Sequence, residues 1–305
     1  MLATNRVDAT GAAPAARPRG LDGRVVFFAY LKERFPLPAY ALLVTFFYGA
    51  GALFAQRVGK GAPLWWSAPV ILLAFFHLRV FDEHKDYAKD CVSHPERLLS
   101  RGVVTRGMLK AWAAVAIVLQ VGIAALAGPL ALAAWAAVFL FTVAMRVEFG
   151  VGRWLNQHIL TYALTHNPVV GLLAIFTWAT TGAKWNDRFW WFVAVASTTS
   201  LAFEIARKTR LPGEEIAGVE SYSSVHGRAR AGLMVYGLVA ISAVLSVSAL
   251  TSITRDWRYA VPVLLGVAVA RGLTRESAPQ KRVELAASLA MLLDFGAIWA
   301  AAAFA

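Results

Sequence analysis

Long apolar stretches, separated by short polar segments, run along almost the whole chain. Runs of about 20 predominantly apolar residues recur, and this is the length that an α-helix needs to cross the hydrocarbon core of a bilayer. The pattern predicts an all-α membrane protein with nine transmembrane helices. They are expected at residues 36–56, 62–81, 108–126, 128–147, 156–181, 187–207, 231–252, 258–273 and 284–304.

The composition agrees with a bilayer environment. Of the 305 residues, 58% are hydrophobic and only 16% are charged, and the mean hydropathy is +0.56. Soluble domains are about 45–50% apolar and about 25% charged. The single cysteine, Cys91, excludes an intramolecular disulfide. The sequence therefore predicts an integral, multi-pass membrane protein.

The basic residues are distributed unevenly between the two sides of the predicted bundle. If the N-terminus is cytoplasmic, about four in five of the 30 Lys and Arg residues fall on the cytoplasmic side. We therefore expect a bacterial inner-membrane protein with a cytoplasmic N-terminus. The net charge of +12 lies at the ends of the spans. It favours membrane lipids and anionic substrates as partners, and not nucleic acid.

The first residues have a different composition from the rest of the chain. They are polar and rich in Ala, Pro and Arg, and they lack the apolar core of a signal peptide. We predict a disordered cytoplasmic tail over residues 1–29 and a single transmembrane domain over residues 30–305.

A cluster of carboxylates follows the second predicted helix, in the stretch RVFDEHKDYAKD. Asp82, Asp86 and Asp90 are spaced i, i+4 and i+8, so they lie near one face if the helix continues. Their repulsion is unfavourable unless a cation lies between them, and carboxylate, water and phosphate oxygens are the ligands that Mg²⁺ prefers. The alternative is a solvated helix end in which Lys85 and Lys89 pair with the acids.

A second polar cluster follows the sixth predicted helix, on the same predicted side. Glu204, Arg207 and Lys208 fall within about one helical turn, so one carboxylate and two cations can face the same cavity. Pro212 and Gly213 then end the helix. Acids that hold a metal, beside bases that bind phosphate oxygens, are what the ionisation of a diphosphate requires.

The first cluster resembles a motif of the UbiA superfamily of intramembrane prenyltransferases. That family has nine transmembrane helices and carries two acidic motifs on cytoplasmic loops, after helices 2 and 6. Its first motif reads N-D-x-x-D-x-x-x-D. The stretch DEHKDYAKD is similar to it, with Asp82 in the Asn position, followed by Glu83, Asp86 and Asp90.

The second cluster resembles the family's second motif, D-x-x-x-D, less closely. Counting back from Gly218 places Glu214 at the later Asp position and Arg210 at the earlier one. A cation cannot ligate Mg²⁺. Either Glu204 supplies the missing carboxylate, or only one metal ion is bound tightly.

The resemblance implies a helical bundle around a central cavity, Mg²⁺ as the cofactor, and transfer of an isoprenoid chain from a prenyl diphosphate to an unidentified acceptor. The residues that it implies as catalytic are Asp82, Asp86, Asp90 and Glu204. Those implied as metal ligands are Asp82, Glu83, Asp86, Asp90, Glu204 and Glu214. Those implied as substrate-binding are Arg79, Lys85, Arg146, Arg207, Lys208 and Arg210.

Other functions and roles remain open. The chain could be a terpene cyclase of the same fold, in which an alkene of the substrate is the nucleophile, or an ion-coupled transporter, whose carboxylates would be expected near the bilayer midplane. Arg146 either holds the carboxylate of an acceptor or is a positive-inside anchor. His158 and His166 either accept a proton or contact the acceptor molecule, or they form interhelical hydrogen bonds.

Overall fold

The computed structural model describes residues 22–216 and 218–305, and no β-strand occurs within these ranges. Short 3₁₀ turns connect some of the helices. In chain order, the α-helices are α1 (Gly23–Arg34), α2 (Leu37–Gly59), α3 (Pro69–Lys85), α4 (Tyr87–Ser93), α5 (Arg106–Ala127), α6 (Pro129–Arg146), α7 (Gly152–Leu155), α8 (Ile159–His166), α9 (Pro168–Ala179), α10 (Phe189–Ala206), α11 (Tyr222–His226), α12 (Arg228–Thr251), α13 (Val261–Leu273) and α14 (Gln280–Phe304).

Seven segments of the described chain are long and apolar enough to cross a bilayer: α2, α5, α6, α8 together with α9, α10, α12 and α14. The predicted all-helical membrane architecture is therefore confirmed. The second and eighth predicted spans correspond to α3 and α13, which have 17 and 13 residues. These two helices are shorter than the seven, so length and composition alone account for seven of the nine predicted spans.

Local chain chemistry moves two of the predicted boundaries. The second span, predicted from residue 62, begins at Pro69, because Lys60 adopts a left-handed cap (φ 60°) that ends α2 and irregular backbone follows. Pro69 lies in the first turn of α3, where its missing N–H costs no hydrogen bond. The fifth predicted span is interrupted at Pro168, the first residue of α9. Because proline has no N–H to continue the hydrogen bonds of α8, it separates α8 from α9.

The N-terminal segment is helical earlier than predicted. The expectation of disorder over residues 1–29 is wrong for its last part, since α1 begins at Gly23. The apolar residues of α1 pack in a cluster with α3 and α5, where Val26 is buried and Tyr30 is fully buried. The rest of the predicted tail, residues 1–21, lies outside the described residues.

The main apolar core lies between α2, α9, α10 and α14. Phe47 of α2 packs edge-on against Phe295 of α14 at 5.6 Å between ring centroids, and Phe192 of α10 lies 5.8 Å from Phe47. Gly51 permits this approach, because a Cβ at that position would lie 2.6 Å from the ring of Phe192. This packing fixes α10 beside α2. The second polar cluster lies at the C-terminal end of α10.

Candidate functional site

The first polar cluster spans the junction between α3 and α4. Asp86 links the two helices, and its backbone N–H donates to the carbonyl of Asp82 at 2.8 Å. The N–H of Asp90 donates in turn to the carbonyl of Asp86, also at 2.8 Å. The helical hydrogen-bond spacing thus continues across the junction. We call Asp82, Asp86 and Asp90 the acidic turn.

The three carboxylates of the acidic turn have different surroundings. The side chain of Asp82 is 54% exposed, and its Oδ1 lies 3.8 Å from Lys85 Nζ. Burial raises the pKa of the half-buried Asp86 carboxyl, an effect that Lys85 opposes and that Asp82 and Asp90 reinforce. Asp90 accepts a hydrogen bond from Arg97 Nη1 at 2.6 Å. The negative charges of Asp82 and Asp86 are therefore less fully balanced by nearby cations than the charge of Asp90.

Glu83 lies on a different face of α3. Its side chain is 1% exposed, and its Oε1 lies 2.5 Å from Nε of Arg34, at the end of α1. This ion pair fastens α1 to α3. The role of Glu83 as a metal ligand stays a prediction, but the contact already gives the carboxylate a partner.

Tyr162 of α8 joins the two polar clusters. Lys85 Nζ donates to the Tyr162 hydroxyl at 2.5 Å and lies 3.9 Å from Glu148 Oε1. The ammonium groups of Lys85 and Lys208 lie 5.2 and 5.8 Å from the centre of the Tyr162 ring. A lysine from each cluster thus flanks one aromatic ring.

In the second cluster, one carboxylate holds two cations. Glu204 Oε2 accepts from Arg207 Nε at 2.5 Å, and its Oε1 lies 2.9 Å from Lys208 Nζ. The three side chains face one another, as their spacing predicts. Arg207 also interacts electrostatically with Arg79 and Asp82 of α3. The fold therefore brings the two clusters together at one end of the bundle.

The loop after α10 contains the two positions of the weaker motif. Arg210 is 8% exposed, and its Nε and Nη1 have no hydrogen-bond partner. Glu214 Oε2 accepts from the backbone N–H groups of Leu211 and Gln280, both at 2.9 Å. These hydrogen bonds, that of Leu211 first, lower the pKa of the Glu214 carboxyl. Glu214 thereby caps the start of α14, and its metal role stays a prediction.

The two arginines on α3 and α6 lie beside the acidic turn. Arg79 interacts electrostatically with Asp82 and Glu83, and its buried Nε has no hydrogen-bond partner. The guanidinium of Arg146 lies 5.0 Å from the centre of the Phe81 ring, and Arg146 is exposed. The substrate-binding roles of both residues stay predictions.

The two histidines lie in different surroundings. His158 is exposed and donates from Nδ1 to the carbonyl of Trp154 at 2.8 Å. His166 stacks on Tyr162 with ring centroids 4.0 Å apart, and its Nδ1 donates to the carbonyl of the same residue. Its buried Nε2 has no hydrogen-bond partner. The side chain of His166 contacts the ring of Tyr162, whereas His158 meets Tyr162 through the backbone, where its carbonyl accepts from the Tyr162 N–H at 2.8 Å.

Sequence reasoning did not single out Tyr162 or Glu148. The available signal for Tyr162 was its position four residues before His166, which places both on one face of α8. Glu148 had no comparable signal, because its position depends on a kink. Glu148 and Phe149 have φ values of 51° and 54°, in the left-handed region that costs non-glycine residues about 1–3 kcal/mol.

Comparisons with known proteins agree with this architecture. The profile of the UbiA prenyltransferase family matches residues 37–299. A solved structure of digeranylgeranylglyceryl phosphate synthase has a TM-score of 0.55 and 15% identity, and the match covers 87% of this chain and 98% of that one.

Two structures of a UbiA homolog from Archaeoglobus fulgidus are also similar. The one bound to DMAPP and Mg²⁺ has a TM-score of 0.55 and 14% identity, covering 88% of this chain and 98% of that one. The one bound to GPP and Mg²⁺ has a TM-score of 0.50 and 14% identity, covering 88% and 99%. At these identities the likeness shows a shared fold. Comparison with curated proteins gives no match.

Proposed function

Because the chain belongs to the UbiA prenyltransferase family, we propose that it is a Mg²⁺-dependent intramembrane enzyme that ionises a prenyl diphosphate and transfers the isoprenoid chain to an acceptor. The family match confirms the resemblance carried by the two polar loops. With seven apolar segments of spanning length among its described residues, the chain is an integral, multi-pass membrane protein. The bound DMAPP or GPP and Mg²⁺ in the similar structures support the substrate class and the cofactor.

The observation that carries the proposal is the meeting of carboxylates and cations around Tyr162. Lys85 contacts Tyr162 and Asp82, and Lys208 flanks the same ring while holding Glu204. A diphosphate leaving group gains negative charge as its C–O bond breaks. Cations that are fixed beside the leaving group stabilise that developing charge.

The donor set of the acidic turn fits Mg²⁺. No group of three or more His, Cys, Asp or Glu side chains in residues 22–216 and 218–305 could enclose a metal ion. Mg²⁺ does not need such a group, since it commonly takes one or two carboxylates and completes its octahedron with water and substrate oxygens. Asp82 and Asp86, with Asp90 beside them, are the residues that would hold it, and it would neutralise charge on the leaving diphosphate.

The remaining residues of the site act on the substrate itself. Lys85, Arg207 and Lys208 bind phosphate oxygens, and Arg79 and Arg146 add positive charge beside them. The electron pair of the broken C–O bond stays on the diphosphate, while the nucleophile of the acceptor forms a bond to the allylic cation and loses its proton. The unpartnered Nε2 of His166, beside Tyr162, is available to a polar group of the acceptor.

We also propose that the short helices α3 and α13 cross the bilayer, which gives nine crossings. The ion pair between Arg34 and Glu83 supports this for α3, because it joins the chain just before α2 to the end of α3. For α13 the support is Arg228, at the start of α12, whose Nη2 donates to the carbonyl of Ala278 just before α14 at 2.7 Å.

The test is incubation of the purified protein with Mg²⁺ and prenyl diphosphates of increasing chain length, with and without acceptors. The acceptors are an aromatic acid, a quinone precursor and a glyceryl phosphate lipid. We expect the diphosphate to be consumed only when an acceptor is present. A cyclised hydrocarbon formed without acceptor would show a terpene cyclase instead. Metal removal with EDTA and the variant Asp86→Asn are the controls.

A further inference from the structure

The carboxylates at the end of α10 and in the loop after it are already engaged by the protein. Both oxygens of Glu204 contact cations, at 2.5 Å from Arg207 and 2.9 Å from Lys208. Glu214 Oε2 accepts two backbone N–H groups, one of them at the start of α14. A metal ion at either residue would have to displace these charge-assisted contacts.

The position at which a second acid is expected holds a cation instead. Arg210 is 8% exposed and leaves Nε and Nη1 without a hydrogen-bond partner, and it interacts electrostatically with Glu214. A buried guanidinium repels a metal ion. This half of the site therefore carries surplus positive charge.

Two cations of this half lie near the other half of the site, Lys208 beside Tyr162 and Arg207 near Asp82. Lys208 lies 5.8 Å and Lys85 lies 5.2 Å from the centre of the Tyr162 ring, and Arg207 interacts with Asp82 across the site. The backbone of Arg207 is also fixed, because its carbonyl accepts from Gln280 Nε2 at 2.5 Å. The N–H donors of Lys85, Arg207 and Lys208 are thus arranged before any substrate binds, which reduces the entropic cost of ordering them on binding.

We infer that Arg207, Lys208 and Lys85 form a cation clamp that binds diphosphate oxygens directly, and that the acidic turn alone holds a metal ion. The protein then binds one divalent ion per prenyl diphosphate. Glu204 is a positioning residue that orients Arg207 and Lys208. This inference rests on the proposed function, since it states how, in the same site, a metal ion and the protein's own cations share the binding of the diphosphate oxygens.

The first test counts metal ions and measures binding without metal. Isothermal titration calorimetry with inorganic diphosphate in EDTA reports on the clamp, and Mn²⁺ binding by electron paramagnetic resonance, in the presence of the unreactive geranyl thiolodiphosphate, reports on the metal. We expect diphosphate to bind without metal, and one Mn²⁺ per chain. Two bound Mn²⁺ ions, or no metal-free binding, would overturn the inference.

Variants then assign each half of the site. Arg207→Gln and Lys208→Gln should weaken metal-free diphosphate binding about 10- to 100-fold, the usual effect of losing a hydrogen bond to a charged group. Arg207→Lys should recover part of the loss. The exposed cations Arg230 and Lys281 serve as controls, and their Gln variants should bind normally. An effect equal to that of the controls would contradict the clamp.

Two carboxylate variants separate positioning from metal ligation. Glu204→Gln should weaken metal-free diphosphate binding and leave the number of bound Mn²⁺ ions unchanged. Asp86→Asn should leave metal-free diphosphate binding unchanged and lose the bound Mn²⁺. Loss of a bound Mn²⁺ in Glu204→Gln would make Glu204 a ligand and overturn its positioning role. If the protein consumes no prenyl diphosphate with any acceptor, the proposed function fails. If the protein consumes prenyl diphosphate with an acceptor but binds two Mn²⁺ ions, the proposed function stands and the clamp inference fails.

Discussion

Lys85 donates a 2.5 Å hydrogen bond to the hydroxyl of Tyr162, although 77 residues separate them in the chain. Lys85 follows the acidic turn's first carboxylate, and Tyr162 precedes the stacked His166 by one helical turn. The contact holds the ammonium group of Lys85 against the Tyr162 ring, which Lys208 also flanks, so that Asp82 is not its only partner. Tyr162 therefore orients Lys85, for which we propose a role in substrate binding, without being charged itself.

The first prediction removes that hydroxyl. Tyr162→Phe keeps the ring against which His166 and the two lysines pack, but Lys85 loses its acceptor. We expect about tenfold lower kcat/KM for the prenyl diphosphate, since hydrogen bonds to charged groups contribute about 1.5–3 kcal/mol. Steady-state kinetics measure this. Tyr236→Phe on α12 is the control, and an unchanged kcat/KM in Tyr162→Phe would show that Lys85 is oriented by other groups.

The second prediction concerns the ion pair between Arg34 and Glu83, whose carboxylate is 1% exposed. Removing one partner of a buried pair costs about 3–5 kcal/mol, because it leaves the other charge uncompensated. Glu83→Ala should therefore lower the thermal unfolding temperature clearly, while Mn²⁺ binding by the folded fraction is retained. A stable Glu83→Ala protein that has lost Mn²⁺ would instead establish Glu83 as a metal ligand. Glu96→Ala, at an exposed position, is the control.

The third prediction separates two members of the acidic turn. Asp86 has like-charged neighbours, so Asp86→Asn should keep the stability of the ligand-free protein. It should lose most of the stabilisation given by Mg²⁺ and prenyl diphosphate, about 2.7 kcal/mol at 100 times the dissociation constant. Asp90 is paired with Arg97 at 2.6 Å. Asp90→Asn should therefore also loosen the loop after α4, seen as faster proteolysis there. Equal ligand-free behaviour of the two variants would contradict this distinction.

The sequence predicted the helices better than the contacts between them. An apolar run of bilayer length has few alternatives to a helix, because every backbone polar group must be satisfied internally. The facing of Glu204, Arg207 and Lys208 was predictable for a similar reason, as it follows from helical spacing alone. The pairing of Glu83 with Arg34 was not, since 49 residues separate them and only tertiary packing brings α1 onto α3.

Two further features could not be read from the pattern. Helix α8 ends at His166, just before Pro168, within a stretch whose total length suits a single span, and length alone does not reveal such a break. The place of Glu148 next to Lys85 depends on left-handed backbone at Glu148 and Phe149, which non-glycine residues rarely adopt. A strained turn of this kind is fixed by its surroundings and leaves no periodic signal.

The fourth prediction is a pH dependence of stability at Glu214. Its pKa is lowered below the ordinary 4.5, first by the hydrogen bond from the Leu211 N–H and also by that from Gln280. A lowered folded-state pKa means that the stabilisation is present above the unfolded value and is lost as the pH falls through the folded value. Glu214→Gln should therefore be less stable than the parent near neutral pH, and the difference should vanish in acid.

Thermal unfolding of both proteins in detergent, from about pH 7 to about pH 3, measures this difference. Glu220→Gln, at an exposed position in the same loop, should show no comparable change with pH. A difference between Glu214→Gln and the parent that persists unchanged into acid would mean that shape, and not charge, stabilises the start of α14.

The last prediction tests whether α3 crosses the bilayer, and it uses the single native cysteine. Cys91 lies in α4, just after the acidic turn, and is partly exposed. Gly23 is exposed at the start of α1, and a Cβ there would meet no atom within 4 Å. If α2 and α3 both cross, Gly23 and Cys91 lie on the same side; if α3 does not cross, they lie on opposite sides. The ion pair between Arg34 and Glu83 favours the first arrangement.

The measurement compares the parent protein with Gly23→Cys in a Cys91→Ser background, using a membrane-impermeant maleimide on sealed vesicles of both orientations. We expect both cysteines to react in inside-out vesicles and to be protected in right-side-out vesicles, which corresponds to a cytoplasmic acidic turn. Reaction of the two cysteines in opposite preparations would mean that α3 lies in the bilayer without crossing it. The contact of Arg34 with Glu83 could then not form in the membrane, because it requires both residues on one side.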